Sequence, residues 1–85
     1  MQLLLTRPFE EDYEELPEKI QRLVDRKLDL LLRNPYHPSL RIKKMHDPRE
    51  IWEGRITRGY RFTCQIKSDL YILRRVGAHD ILKTP

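Results

Sequence analysis

Side chains in the second half of the chain are of the types that cleave RNA without a metal ion. Arg61 lies within the alternating segment YRFTCQIK, while Glu53 and Arg55 lie two residues apart and so project from one face of a strand. His79 follows near the carboxyl end. Self-cleavage of RNA requires a base at the 2′-hydroxyl, an acid at the leaving 5′-oxygen and positive charge at the phosphate. Glu53, Arg61 and His79 are therefore the candidate catalytic residues.

Arginine and histidine suit these roles for different reasons. A guanidinium stays charged and grips two phosphate oxygens at once, which fits Arg61 for binding a phosphate. Imidazole gains and loses a proton near neutral pH, which fits His79 for proton transfer, and Asp80 could orient its ring. Because the reaction needs a 2′-hydroxyl, such a site would act on RNA only. Six other basic residues of this half are the candidate RNA-binding residues, namely Lys43, Lys44, Arg55, Arg58, Arg74 and Arg75.

Each candidate also has a purely structural interpretation. Arg61 could pair with Glu53 or Gln65, and His79 could be a solvated residue of the terminus. Glu53 could be only a counter-ion of a neighbouring arginine. Trp52 is expected to pack in the core, with stacking on a nucleobase as the less common alternative. The three histidines lack the spacing of zinc ligands, so we expect neither a metal nor a cofactor.

Composition limits the class of protein. Eighty-five residues support one domain, residues 1–85, with a small core. The single cysteine excludes an internal disulfide, and no apolar segment approaches membrane-spanning length, so we expect a cytoplasmic protein without a membrane partner. Residues 1–34 carry eight acidic and six basic side chains, whereas residues 35–85 carry five and eleven. The basic half indicates a polyanionic partner, although a solubilising charge excess would look the same.

The hydrophobic pattern predicts the elements that position these residues. MQLLLT is short enough for a strand buried on both sides. Helical spacing of apolar residues predicts one helix from Phe9 to Pro17 and a second from Pro17 to about Arg33. The period then changes to two, which predicts three strands at IWEGRIT, YRFTCQIK and LYILRRV and allows another at 40–45. The order β-α-α-β-β-β is an α+β fold, with two N-terminal helices packed on one face of a small, mainly antiparallel sheet and an open face that carries arginines.

Four segments together resemble the RelE/ParE superfamily of type II toxin–antitoxin toxins. They are the helical pair FEEDYEELPEKIQRLVDRKLDLLLRNP, the strand IWEGRI, the segment GYRFTCQI and the ending LRRVGAHDIL, and they span nearly the whole chain. By this resemblance Arg61 matches the phosphate-contacting arginine of the GYR segment, and Arg55 matches a basic strand residue. His79 matches the catalytic histidine of YafQ-like members. Glu53 departs from the pattern, because its position is basic in RelE.

The resemblance implies a ribosome-dependent mRNA endonuclease that needs no cofactor and is neutralised by a cognate antitoxin. Its partners would be the antitoxin, the ribosome and mRNA. Two alternatives share the fold: a ParE-like toxin that inhibits DNA gyrase, and a non-catalytic RNA- or protein-binding module. Arg61 and His79 favour the nuclease, since ParE-like toxins commonly lack this set.

Overall fold

Five strands form one sheet in the order β1-β5-β4-β3-β2 in the computed structural model, which describes residues 1–85. β1 lies parallel to β5, and all other neighbouring strands are antiparallel. The predicted α+β order is confirmed, including the additional short strand. The elements are β1 (Gln2–Leu5), α1 (Arg7–Glu14), α2 (Glu18–Arg33), a first 3-10 helix (Pro38–Leu40), β2 (Lys43–Lys44), β3 (Trp52–Arg55), β4 (Tyr60–Lys67), β5 (Leu70–Ala78) and a C-terminal 3-10 helix (His79–Lys83).

Local sequence signals explain where the two α-helices begin and end. α1 begins at Arg7, two residues before the predicted start, because the Thr6 hydroxyl accepts the main-chain N–H of Phe9 and caps the helix. α2 follows Pro17 and ends at Arg33, as the sequence predicts. No helix of the protein combines the length and the apolar composition that crossing a membrane requires.

The two helices and one face of the sheet share a single hydrophobic core. Burial raises the pKa of the Cys64 thiol to about 12, so this cysteine is a packing residue and not a nucleophile. The buried members of the core are Phe9 of α1, Val24, Leu28 and Leu31 of α2, Leu40 of the first 3-10 helix, Ile56 of the connection between β3 and β4, and Phe62, Cys64, Tyr71, Leu73 and Val76 of the sheet.

The prediction that the first strand is buried on both sides is wrong. β1 is an edge strand that pairs only with β5, and Leu4 and Leu5 remain 49% and 43% exposed. Only Leu3 packs against the core. A short apolar run fits an edge strand as well as a central one, because strand order depends on long-range pairing that the run itself does not encode.

Gly54 in β3 leaves room for the ring of Phe62 in β4. The two residues are paired directly across the strands, and a Cβ on Gly54 would lie 2.1 Å from the ring. Because Phe62 is 0% exposed, the ring has no free space to enter. We expect Gly54→Ala to lower the free energy of unfolding by about 3 kcal/mol in urea denaturation. Gly59→Ala is the matched control, since nothing lies within 4 Å of its added methyl, and equal stability of the two variants would contradict this account.

Candidate nucleic-acid interface

A row of paired residues crosses the sheet face opposite the helices, at the end where β3 stops and β4 begins. Arg55 of β3 pairs with Arg61 of β4, and Arg61 pairs with Gly77 of β5. Directly opposed residues of antiparallel strands project from the same face. The side chains of Arg55 and Arg61 therefore start from neighbouring positions on this face.

The hairpin between β3 and β4 fixes the guanidinium of Arg61. Its Nη1 donates to three main-chain carbonyls at 2.6, 2.7 and 3.2 Å, those of Thr57, Arg58 and Tyr60. Neither predicted structural partner binds it, because Glu53 pairs with Lys43 and Gln65 contacts Arg49 and Arg74. Nε and Nη2 of Arg61 are therefore free to bind an anion while Nη1 holds the group in place.

Four arginines gather at this end of the sheet without an acidic partner. Partial burial lowers the pKa of Arg55, and the positive charges of the neighbouring arginines lower it further. No salt bridge in the protein includes any of the four. Like charges held together without a counter-ion repel one another, and a bound anion removes that repulsion. We call these residues the arginine cluster: Arg41, Arg55, Arg58 and Arg61.

A cleft of about 430 Å³ brings a carboxylate next to the cluster. Glu53 lines it together with Arg55 and Arg61, and also with Arg41 and Lys43. Glu53 is only 8% exposed, and its carboxylate lies 3.1 Å from the Lys43 ammonium instead of pairing with an arginine. The cleft therefore places a carboxylate, a group able to accept a proton, beside guanidinium groups. No group of three or more His, Cys, Asp or Glu side chains in the protein lies close enough together to ligate a metal ion.

His79 lies at the same end of the sheet as the arginine row. It directly follows Ala78, which pairs with Tyr60 of β4, and it is the first residue of the C-terminal 3-10 helix. Its side chain is exposed, and it takes part in no side-chain hydrogen bond or ion pair, including any with Asp80. The imidazole is therefore free to contact a ligand, although Asp80 does not orient it in this structure.

The remainder of this sheet face is not open, contrary to the prediction. The C-terminal 3-10 helix lies against β4 and β5, and its Ile81 is buried. Gly77 permits this close approach, because a Cβ there would lie 2.9 Å from Cγ2 of Ile81. The C-terminal 3-10 helix thus covers the part of this face beside Gly77, and the cleft at the arginine cluster stays open.

Arg74 and Arg75, two of the predicted RNA-binding residues, lie in a separate basic cavity. Arg75 donates to the Asp12 carboxylate of α1 at 2.6 and 3.2 Å and to the carbonyl of Thr84 at 3.1 Å. Arg74 donates to the carbonyl of Pro85. These contacts fasten the C-terminal segment to β5 and α1, so both arginines have structural partners that the sequence did not reveal.

The other basic candidates divide between the cleft and the surface. Lys43 lines the cleft and Arg58 belongs to the arginine cluster. Lys44 lies outside the cleft, with its ammonium 3.5 Å from Glu50 and 5.9 Å from the centroid of the Trp52 ring.

Arg41 lines the cleft although the sequence did not predict it as a member of the site. The alternation around it suggested a strand at 40–45, but the strand is limited to Lys43–Lys44. Arg41 instead ends the first 3-10 helix with φ 45° and ψ 46°. This left-handed conformation is uncommon outside glycine, and the sequence carries no signal for it at an arginine.

The Asp12–Arg75 pair is expected to stabilise the fold measurably. Asp12 also accepts the main-chain N–H of Val76 at 3.1 Å, so its loss removes the acceptor of three donors, Nε and Nη2 of Arg75 and this N–H. We expect Asp12→Ala to lower the free energy of unfolding by about 2 kcal/mol. The neighbouring Glu11→Ala is the control, because its pair with Arg7 is exposed and contributes about 0.5 kcal/mol or less. Similar losses in both variants by chemical denaturation would contradict the structural role of Asp12.

No protein-family model matches this sequence, and no curated protein resembles it in sequence. Solved structures do resemble it in fold. YafQ from E. coli strain BL21(DE3) superposes with a TM-score of 0.78 at 12% identity, over 94% of each chain. The YoeB/ParE toxin from Agrobacterium tumefaciens superposes with a TM-score of 0.78 at 18% identity, over 93% of this chain and 99% of the toxin chain.

A chain of the RelB–RelE antitoxin–toxin complex from Methanococcus jannaschii gives a TM-score of 0.76 at 20% identity, over 94% of each chain. This protein has the RelE/ParE toxin fold. The resemblance found in the sequence is confirmed at the level of the fold. Within this RelE/ParE fold, the arginine cluster and the cleft with Glu53 lie at the end of the sheet where β3 stops and β4 begins.

Proposed function

We propose that this protein is the toxin of a type II toxin–antitoxin pair and that it cleaves mRNA on the ribosome. The observation that carries the proposal is the arginine cluster. Three of its arginines line one cleft, Arg61 donates to the carbonyl of the fourth, Arg58, and none of the four forms an ion pair. A phosphodiester supplies the missing negative charge, and arginine binds it with paired hydrogen bonds. The solved structures that share this fold are toxins or contain one, which supports the proposal that this protein is a toxin.

Arg55 and Arg61 are proposed to hold the scissile phosphate. The 2′-oxygen of the preceding ribose attacks the phosphorus, the bond to the 5′-oxygen breaks, and the products are a 2′,3′-cyclic phosphate and a free 5′-hydroxyl. Negative charge on the phosphate oxygens increases in the transition state, so guanidiniums already fixed beside them stabilise it more than the ground state. The fixed Nη1 of Arg61 supports this role, since little reorientation is then needed.

Two proton transfers accompany this exchange of bonds. Glu53 is proposed to accept the proton of the 2′-hydroxyl, because its carboxylate lines the same cleft as the two arginines. His79 is proposed to donate a proton to the leaving 5′-oxygen. This role is supported by the position of His79, whose exposed side chain lies at the same end of the sheet as Arg55 and Arg61. DNA lacks the attacking 2′-hydroxyl and would not be cut.

An antitoxin is the proposed protein partner. The RelB–RelE complex joins an antitoxin to a toxin of the same fold, and we extend this arrangement to the present chain. An acidic segment over the arginine cluster would neutralise its charge and block access of RNA to the cleft.

Expression of the chain in bacteria tests the function. The expected result is growth arrest with discrete cuts in ribosome-bound mRNA, mapped by primer extension and absent when ribosomes are omitted. Growth arrest with intact mRNA and a DNA-damage response would instead indicate a gyrase inhibitor. Normal growth of cells that accumulate the folded protein would indicate a non-catalytic binding module, and both results would overturn the nuclease proposal.

A further inference from the structure

We infer that a second cavity, next to the arginine cluster, binds an unpaired nucleobase of the RNA strand whose phosphate the cluster holds. This inference rests on the proposed function and adds a base-binding subsite to it. The cavity has a volume of about 700 Å³. We call it the aromatic groove, and its principal lining residues are Pro35, Tyr36, Trp52, Ile66 and Tyr71, with Arg41 at the side of the cluster.

Tyr36 is the most unusual side chain of the groove. It is 91% exposed, whereas the other aromatic groove residues, Trp52 and Tyr71, are partly or fully buried. An aromatic ring that contributes nothing to the core is available to stack on a flat ligand, and every nucleobase presents such a face.

The loop that carries Tyr36 is held by its own hydrogen bonds. The main-chain N–H of Tyr36 donates to Oδ1 of Asn34 at 3.2 Å. Nδ1 of His37 accepts the main-chain N–H of Ser39 at 3.2 Å and caps the first 3-10 helix. The ring is therefore displayed on an ordered turn, which lowers the entropy lost when a ligand binds.

The groove and the phosphate site meet at the β2 edge of the sheet. Trp52 of the groove packs on the helix side of the sheet, whereas Arg55 lies on the opposite face, so the RNA strand would pass around this edge. Arg41 and Ile42 line both the aromatic groove and the cleft that holds Arg55 and Arg61. Each nucleotide carries one base and one phosphate, so a strand anchored in the cleft would pass Arg41 and bring a neighbouring base to the groove. No acidic residue lines the groove, which favours a nucleic acid over a basic peptide as the occupant.

Trp52 provides a direct probe, because it lines the groove and is the only tryptophan of the chain. Its fluorescence would be titrated with a short single-stranded RNA carrying 2′-O-methyl groups, which cannot be cut. The second ligand would be an abasic sugar–phosphate oligomer of equal length and charge. We expect the RNA to bind more tightly than the abasic oligomer. Tyr36→Ala should weaken RNA binding about tenfold, the loss of one base stack, without changing the affinity for the abasic oligomer.

Tyr36→Phe is the matched control, since it keeps the ring and should keep the affinity for RNA. Arg55→Ala should bind both the RNA and the abasic oligomer more weakly than wild type does. Equal RNA affinity of wild type and Tyr36→Ala, or equal affinity for both ligands in wild type, would overturn the base site but leave the proposed phosphate site intact. If the groove instead binds an apolar protein segment, RNA should bind wild type and Tyr36→Ala equally well. Absence of binding by either ligand, together with uncut mRNA, would overturn both.

Discussion

Replacing His79 with alanine is expected to slow mRNA cleavage by about 100- to 10,000-fold, the usual contribution of a general acid. The side chain is exposed and takes part in no hydrogen bond or ion pair, so its removal should leave the free energy of unfolding nearly unchanged. Single-turnover cleavage of ribosome-bound mRNA measures the effect. Added imidazole should partly restore the rate, because it can replace the missing proton donor without repairing any structural defect.

His46→Ala is the matched control for this experiment. His46 is also exposed, but it lies in the turn before β3 and outside the cleft. If His79→Ala cleaves at the wild-type rate, or if both histidine variants lose the same fraction of the rate, His79 transfers no proton in the reaction.

Replacing Arg55 with alanine is expected to slow cleavage by about 100- to 1,000-fold, the cost of removing one donor from a site of developing negative charge. Arg55→Lys should recover only part of this loss, because an ammonium keeps the charge but not the paired hydrogen bonds. Arg22→Ala is the control, since Arg22 lies exposed on α2 and pairs only with Glu18. Full activity of Arg55→Ala would exclude this guanidinium from the phosphate site.

Stability should change in the opposite direction to activity in this variant. The pKa of Arg55 is lowered by partial burial and by the charges of three neighbouring arginines, so its charged form is less favourable in the folded protein than in the unfolded chain. Arg55→Ala should therefore unfold at a higher urea concentration than wild type at low salt. The difference should shrink as salt screens the repulsion. A loss of stability would mean that Arg55 has a structural partner.

Elements governed by local pattern were predictable. The alternation of YRFTCQIK defines β4 over Tyr60–Lys67, and the apolar stripe of α2 together with Pro17 defines that helix. These signals depend on side chains close in sequence, so the sequence alone carries them. Arg55 and Arg61 were likewise placed on one face from strand periodicity, and their direct pairing agrees with it.

Features that depend on distant residues were not predictable. Arg75 binds Asp12, which is 63 residues away in the chain, and nothing near either residue indicates the pair. The edge position of β1 depends on its parallel pairing with β5. Arg41 joins the cluster through a left-handed backbone that no residue type around it requires. In each case tertiary packing determines the position of a charge or an apolar surface, and local propensity does not.

A structure of the ribosome-bound protein with an mRNA that carries hydrogen in place of the reacting 2′-hydroxyl tests the central claim most directly. The claim is that the guanidiniums of Arg55 and Arg61 and the imidazole of His79 meet at one phosphodiester. The predicted result is one phosphate within about 3 Å of the guanidinium nitrogens, with the His79 ring at its 5′-oxygen. A phosphate bound at the cluster with His79 turned towards a different surface would contradict it.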